Sequence, residues 1–215
     1  MPRGRRWFFP GVSLHVVQRG NNRCDIFQHQ IDREVFLAAL RSASEIIGVR
    51  VHAYSLMTNH VHLVVTPASK DALGRAMQFV GRFYVPYFNQ RHRRTGGLFD
   101  GRYRAVHIHS EAYWYNSVRY VEMNPVRAGL VERPEEYRWS SYRHHAYGEP
   151  DPILSPHGSY ERLGATAAER RQAWTAFCSA PLTEEELRKI RTQTMCDARS
   201  GVLKPQAQSS FPPDP

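Results

Sequence analysis

The segment TNHVHLVVT, residues 58–66, carries two histidines separated by one apolar residue. On an extended strand, side chains two apart share a face and lie roughly 6.5–7 Å from one another. His60 and His62 can therefore converge on one divalent ion while Val61, Leu63 and Val65 face a core. Imidazole is a good ligand for such an ion, and a site with few protein ligands keeps positions open for substrate oxygens. The same pattern recurs in His107-Ile108-His109. Spacing alone chooses neither between the two pairs nor between ligands and solvated side chains.

A metal site that cuts or transfers needs a further ligand and a nucleophile. Asn116, Tyr120 and Asn124 recur every fourth residue and would form one stripe of a helix, while Trp114, Val118 and Val121 fall on a separate apolar face. A phenol attacks once it is deprotonated, and an amide one turn later can point at the same cation. An amphipathic helix with incidental polar residues would show the same spacing.

The elements that must position these groups follow from periodicity. Residues 11–19 (GVSLHVVQR) read as a strand and Gly20-Asn21-Asn22 as a turn; residues 32–47 have helical spacing and Gly48 sits where that helix would stop. Strands are expected at 49–56 and 60–66, a helix from about 70 to 93 that Pro86 should kink or restart, and a strand at 103–109. Ser110 is a good N-cap for a helix to about Met123, which Asn124-Pro125 should end. This split βαβ order predicts an α+β fold, a ferredoxin-like antiparallel sheet with helices on one side. Two further helices are expected at 165–178 and 182–199 as a C-terminal extension.

Composition bounds the partners. The 215 residues suit one compact domain of about 150 residues plus an extension. No apolar run approaches the ~18 residues of a membrane span, and MPRGRRWFFPG lacks a secretory apolar core. A cytoplasmic protein with no membrane partner is expected. Cys24, Cys178 and Cys196 form no CxxC pair, which argues against a disulfide framework or a thiolate zinc site. The formal charge is +9, with arginines clustered at 3–6, 91–94, 102–104 and 170–171. Aromatic residues lie among them in FDGRYRAVH and EEYRWSSYRHH. Guanidinium groups suit phosphates and aromatic faces suit unstacked bases, so a nucleic acid is expected rather than a small-molecule substrate.

Five blocks in order, RGNNR (19–23), NHVHLVV (59–65), GLFDGRYR (97–104), RYVEMNPVRAGLV (119–131) and YRWSSY (137–142), resemble the REP-associated tyrosine transposases. These are single-tyrosine transposases of the HUH type, named for histidine, bulky apolar residue, histidine. The resemblance covers about residues 10–148 and implies the same HUH endonuclease fold. It selects the NHVHLVV pair, since His107 and His109 fall on a strand where the family has no ligands. It implies metal binding by His60, His62 and Asn124, a nucleophilic Tyr120, and Mg2+ or Mn2+ as cofactor.

The activity implied is endonucleolytic cleavage and rejoining of single-stranded DNA beside palindromic REP-type hairpins, through a 5′-phosphotyrosine intermediate. Charge and position suggest DNA contacts by Arg91, Arg93, Arg94, Arg102 and Arg104 on the stem, and by Arg19, Asn21, Asn22 and Arg23 on the single strand. A domesticated DNA- or RNA-hairpin binding protein without cleavage is the alternative. A monomer is expected, with a dimer as the other possibility. The chain divides into a basic arm (1–10), the transposase domain (11–148), a helical extension (149–200) and a disordered tail (201–215).

Overall fold

A computed structural model describes residues 8–180 and 182–196, without the side chains of residues 193–196. Arg3, Arg5 and Arg6 of the expected arm, and the whole expected tail 201–215, lie outside the described residues. Strands β1 (Leu14–Arg19), β2 (Val49–Leu56), β3 (His60–Pro67) and β4 (Arg104–His107) form one sheet in the order β2-β3-β1-β4. Each of its strand pairs is antiparallel. Helix α1 (Gln30–Ile47) joins β1 to β2, and α2 (Ala72–Arg91) joins β3 to β4. This is the expected ferredoxin-like order.

Strand alternation sorts the side chains to two faces. Leu14 and Val16 of β1 and Val61, Leu63 and Val65 of β3 join Phe36, Leu40, Tyr84 and Phe88 of α1 and α2 in the larger core. Helix α1 begins where Asp32 accepts from the backbone N–H groups of Gln28 and His29, each at 2.8 Å. It stops at Gly48, whose φ of 80° is the left-handed conformation glycine tolerates best. Helix α2 runs unbroken through Pro86. The missing hydrogen bond is outweighed because Tyr84 and Phe88, on either side of the proline, are both buried in the core.

Against the expectation of helices on one side, the opposite face is covered too, because Ala53 and Val64 leave it apolar, and this face positions the chemistry. Ala53 and Val64 of the sheet meet Trp114, Val118 and Val121 of α3 (Glu111–Glu122), with Tyr142 and Ala146 of α5 (Tyr142–Tyr147) and Trp174 and Cys178 of α7 (Ala167–Ser179). Ser110 caps α3 by accepting from Tyr113 N–H at 3.2 Å. The break expected at Asn124-Pro125 takes the form of a short separate turn, α4 (Asn124–Arg127), with proline in its first turn, where a missing N–H costs little. Strand β4 is shorter than the 103–109 expected. It pairs only with Leu14–Val17, after which the chain turns to the Ser110 cap. Residues beyond 148 pack on the same sheet through a bridge between Val51 and Leu154, then form α6 (Gly158–Glu161), α7 and α8 (Glu184–Cys196).

Candidate functional site

His60 and His62 project from β3 on the face opposite Val61 and Leu63, and their rings lie 4.8 Å apart. His60 Nδ1 is 2.7 Å from Asn59 Oδ1, while Asn59 Nδ2 donates to the Arg23 carbonyl at 3.1 Å. With its amide nitrogen so engaged, Asn59 offers an acceptor to His60. His60 therefore carries its proton on Nδ1 and keeps a lone pair on Nε2. His62 Nδ1 is 3.0 Å from Nε2 of His15, a fully buried histidine of β1. Burial pushes His60 down to about 4, with Arg19 adding to the shift, and holds His62 well below the usual histidine range. His15 is pushed down to about 4 by burial, then by Arg127. Near neutral pH all three imidazoles are uncharged, the form that ligates metal.

Tyr120 comes to this group from α3. Its ring packs edge-on to His62 at 5.6 Å and to His15 at 5.8 Å. The Arg127 guanidinium lies 4.0 Å from the same ring's centre, and Arg127 Nη2 donates to the Tyr120 carbonyl at 2.9 Å. Burial lowers Arg127 to about 10, which leaves it charged at neutral pH. Asn124 opens α4 and is half-buried; among the described residues its Nδ2 is enclosed without a hydrogen-bond partner. Among the described residues no three His, Cys, Asp or Glu side chains cluster as a metal site. A divalent ion on two imidazole Nε2 atoms would draw its other ligands from an amide oxygen, water or substrate phosphate. The donor set fits such an ion.

The stripe read from the helix splits. Asn116 donates to Glu186 of α8 at 3.0 Å and accepts from Arg119, so it serves helix packing. The second histidine pair is taken up by aromatic packing. His107 sits 5.8 Å from Phe8 and 5.6 Å from Phe9, and His109 stacks on Tyr113 at 5.1 Å.

The tyrosine helix is anchored by charges buried on it. Glu122 Oε1 accepts from Ser141 at 2.5 Å and contacts His145 Nδ1 at 2.6 Å, while Oε2 accepts from Trp174 Nε1 at 2.9 Å. Arg119 donates to the Phe177 and Ala180 carbonyls, each at 3.2 Å, and lies 4.1 Å over the Phe177 ring. A buried carboxylate is costly unless its lone pairs are satisfied, and here three donors meet it.

The expected DNA-contacting residues gather at one end of the sheet. Asn21 N–H donates to Leu98 O and Asp100 N–H to Arg19 O, which ties the 19–23 turn to the 97–104 loop. Arg19 is the strand partner of His60. Asn21, Asn22, Arg23, Arg93 and Arg102 are exposed, and Arg104 pairs across to Val17. Arg91 and Arg94 are partly committed within the fold. Arg91 lies 3.7 Å from Asp32, and Arg94 donates to Gly97 O at 3.1 Å. Arg102 also lines a groove with Lys70, Arg75, Gln78, Phe99 and Tyr103.

Sequence reasoning missed His15, Asn59, Arg127 and Glu122. Arg127 was within reach, since seven residues separate it from Tyr120, two helical turns along one stripe. Pro125 hid that relation. Asn59 adjoins His60, but its role depends on the Arg23 carbonyl. Nothing in the chain marked His15, because its neighbour His62 is 47 residues away.

The family model of IS200-like transposases matches residues 9–124, more than half of the chain. The chain is also similar to the solved structure of a REP-associated tyrosine transposase bound to a REP hairpin. The identity is 17%, the match covers 73% of this chain and 93% of that one, and the TM-score is 0.56. A putative transposase from Deinococcus radiodurans R1 matches at 20% identity, over 52% of this chain and 89% of that one, with a TM-score of 0.36. A comparison with curated proteins finds no match. The resemblance read from the sequence is borne out in family and in fold.

Proposed function

Because the chain belongs to the IS200-like transposase family, we propose that it is a metal-dependent endonuclease and strand transferase for single-stranded DNA, acting at DNA hairpins. The observation that carries this reading is Tyr120 packed against His62 and His15 within one chain. The similar fold bound to a REP hairpin supports hairpin DNA as the partner class.

His60 and His62 would hold a divalent ion through Nε2, with Asn124 the candidate amide ligand. Mg2+ or Mn2+ is the ion proposed. When bound, such an ion supplies Lewis-acid stabilisation of the charge on the scissile phosphate. The chain's own residues do the rest. Tyr120 Oη gives up its proton and bonds to phosphorus in line with the departing 3′-oxygen. The P–O3′ bond breaks, the 3′-oxygen takes up a proton, and the 5′ end remains on the tyrosine. One phosphodiester replaces another, so the step reverses readily and rejoining needs no energy source. The Arg127 guanidinium and two imidazoles, all packed on the ring, hold the phenol in orientation. The basic end of the sheet beside His60 would carry the phosphates.

The anchoring of α3 by Glu122 and Arg119 within the same chain supports a site completed by one protomer, and we propose a monomer. The test is a denaturing-gel assay with labelled hairpin DNA and Mn2+. Wild type should yield a labelled band at protein mass, and Tyr120→Phe should bind the hairpin without one. An adduct from Tyr120→Phe would overturn the nucleophile. Tight binding with neither cut nor adduct in wild type would leave a hairpin-binding protein.

A further inference from the structure

We infer that His15 is a positioning residue for the metal centre, holding His62 with its proton on Nδ1 so that Nε2 is bare for the ion. The inference rests on the reading of His60 and His62 as ligands. His15 sits on the central strand β1, on the face that carries the site, and none of its side chain is exposed. Among the described residues its side chain makes one hydrogen bond, the 3.0 Å contact to His62 Nδ1. Its other nitrogen is enclosed without a partner.

That arrangement has no packing rationale. A phenylalanine would fill the same volume and stack equally on His62, whose ring lies 5.2 Å away at 24°. It would bring no unpaired nitrogen of its own, and would leave only His62 Nδ1 without its acceptor. A buried imidazole that leaves one nitrogen unpaired is justified only by what the other nitrogen does. What it does is occupy His62 Nδ1. Asn59 occupies Nδ1 of His60 in the same way. The two ligands, two residues apart on one strand, are thus prepared alike, each offering Nε2. Histidines that bind metal ordinarily donate their second N–H to such a partner, which sets the tautomer and the ring's direction. His15 also packs at 67° to Tyr120, ring centres 5.8 Å apart, so one side chain touches both ligand and nucleophile.

The experiment measures Mn2+ affinity calorimetrically for wild type, His15→Phe, His15→Gln and His60→Ala, with thermal unfolding as the control for folding. His15→Phe should weaken Mn2+ binding about 10–100-fold. His15→Gln, whose amide oxygen can replace the acceptor, should recover most of it. A purely structural role would not show that rescue. Long-range 1H–15N correlation of the metal-free wild type should find His62 already protonated on Nδ1, a readout that stands even if His15→Phe does not fold. Wild-type affinity in His15→Phe, or a proton on Nε2 of His62, overturns the inference and leaves the metal centre standing. Equal Mn2+ binding by wild type and His60→Ala would overturn the metal centre itself, and this inference with it.

Discussion

Trp174 donates its indole N–H to Glu122 at 2.9 Å, joining the helix that bears the nucleophile to one 52 residues further along the chain. The carboxylate has no exposed surface and also meets Ser141 and His145. It lies two residues after Tyr120, so whatever moves Glu122 moves the phenol. Glu122→Ala should cost on the order of 3 kcal/mol, because each donor left unpaired costs ~1–3 kcal/mol. Glu122→Gln should fall between, since its amide oxygen can still accept. Urea unfolding reads both, and wild-type stability for the alanine variant would remove the anchor.

Arg127→Leu should slow formation of the covalent adduct about tenfold, the scale of a single cation–π interaction. Hairpin affinity should change little, as the guanidinium is occupied by the Tyr120 ring and carbonyl. Single-turnover cleavage beside a binding titration separates the two, and weakened binding alone would make Arg127 a DNA-binding residue instead.

Asn59→Ala should weaken Mn2+ binding about tenfold by freeing the His60 tautomer. Calorimetry checks it; an unchanged affinity would mean that the 2.7 Å approach to His60 is incidental.

The buried histidines predict acid sensitivity. His15, His60 and His157 are pushed down to about 4 and His52 to about 3, burial being the largest cause for each. In the unfolded chain they would titrate near ~6.5. Above that pH both states are neutral and these groups add no pH dependence. As pH falls below it, the unfolded chain takes up protons that the folded one refuses. Stability should therefore decline from about pH 6.5 to about pH 4, by up to ~1.4 kcal/mol per pH unit for each histidine. Urea midpoints at pH 7, 6 and 5 test this, and equal midpoints would contradict it.

Arg102→Ala should weaken hairpin binding and reduce the slope of log affinity against log salt by about 1, the effect of removing one side chain that neutralises a phosphate. The groove that Arg102 lines with Lys70 and Arg75, against the one carboxylate of Asp71, keeps a net positive charge to hold a phosphate backbone. An unchanged slope would place the DNA elsewhere.

What the sequence by itself determined is the part that follows from local repetition. Period-two alternation put Val61, Leu63 and Val65 in the core and the two histidines opposite. Helical spacing put Trp114, Val118 and Val121 inside. Ser110 started α3 and Gly48 ended α1 because capping chemistry is local. Tertiary structure decided what those histidines and Tyr120 face. Strand register set His15 against His62, and the packing of α3 on the second sheet face set Tyr120 against both. It also separated Asn116 from Tyr120 by giving it to α8, and turned the second histidine pair into aromatic packing. Such pairings join residues tens of positions apart. No local period encodes them, because they arise only when the faces on which the residues stand are pressed together.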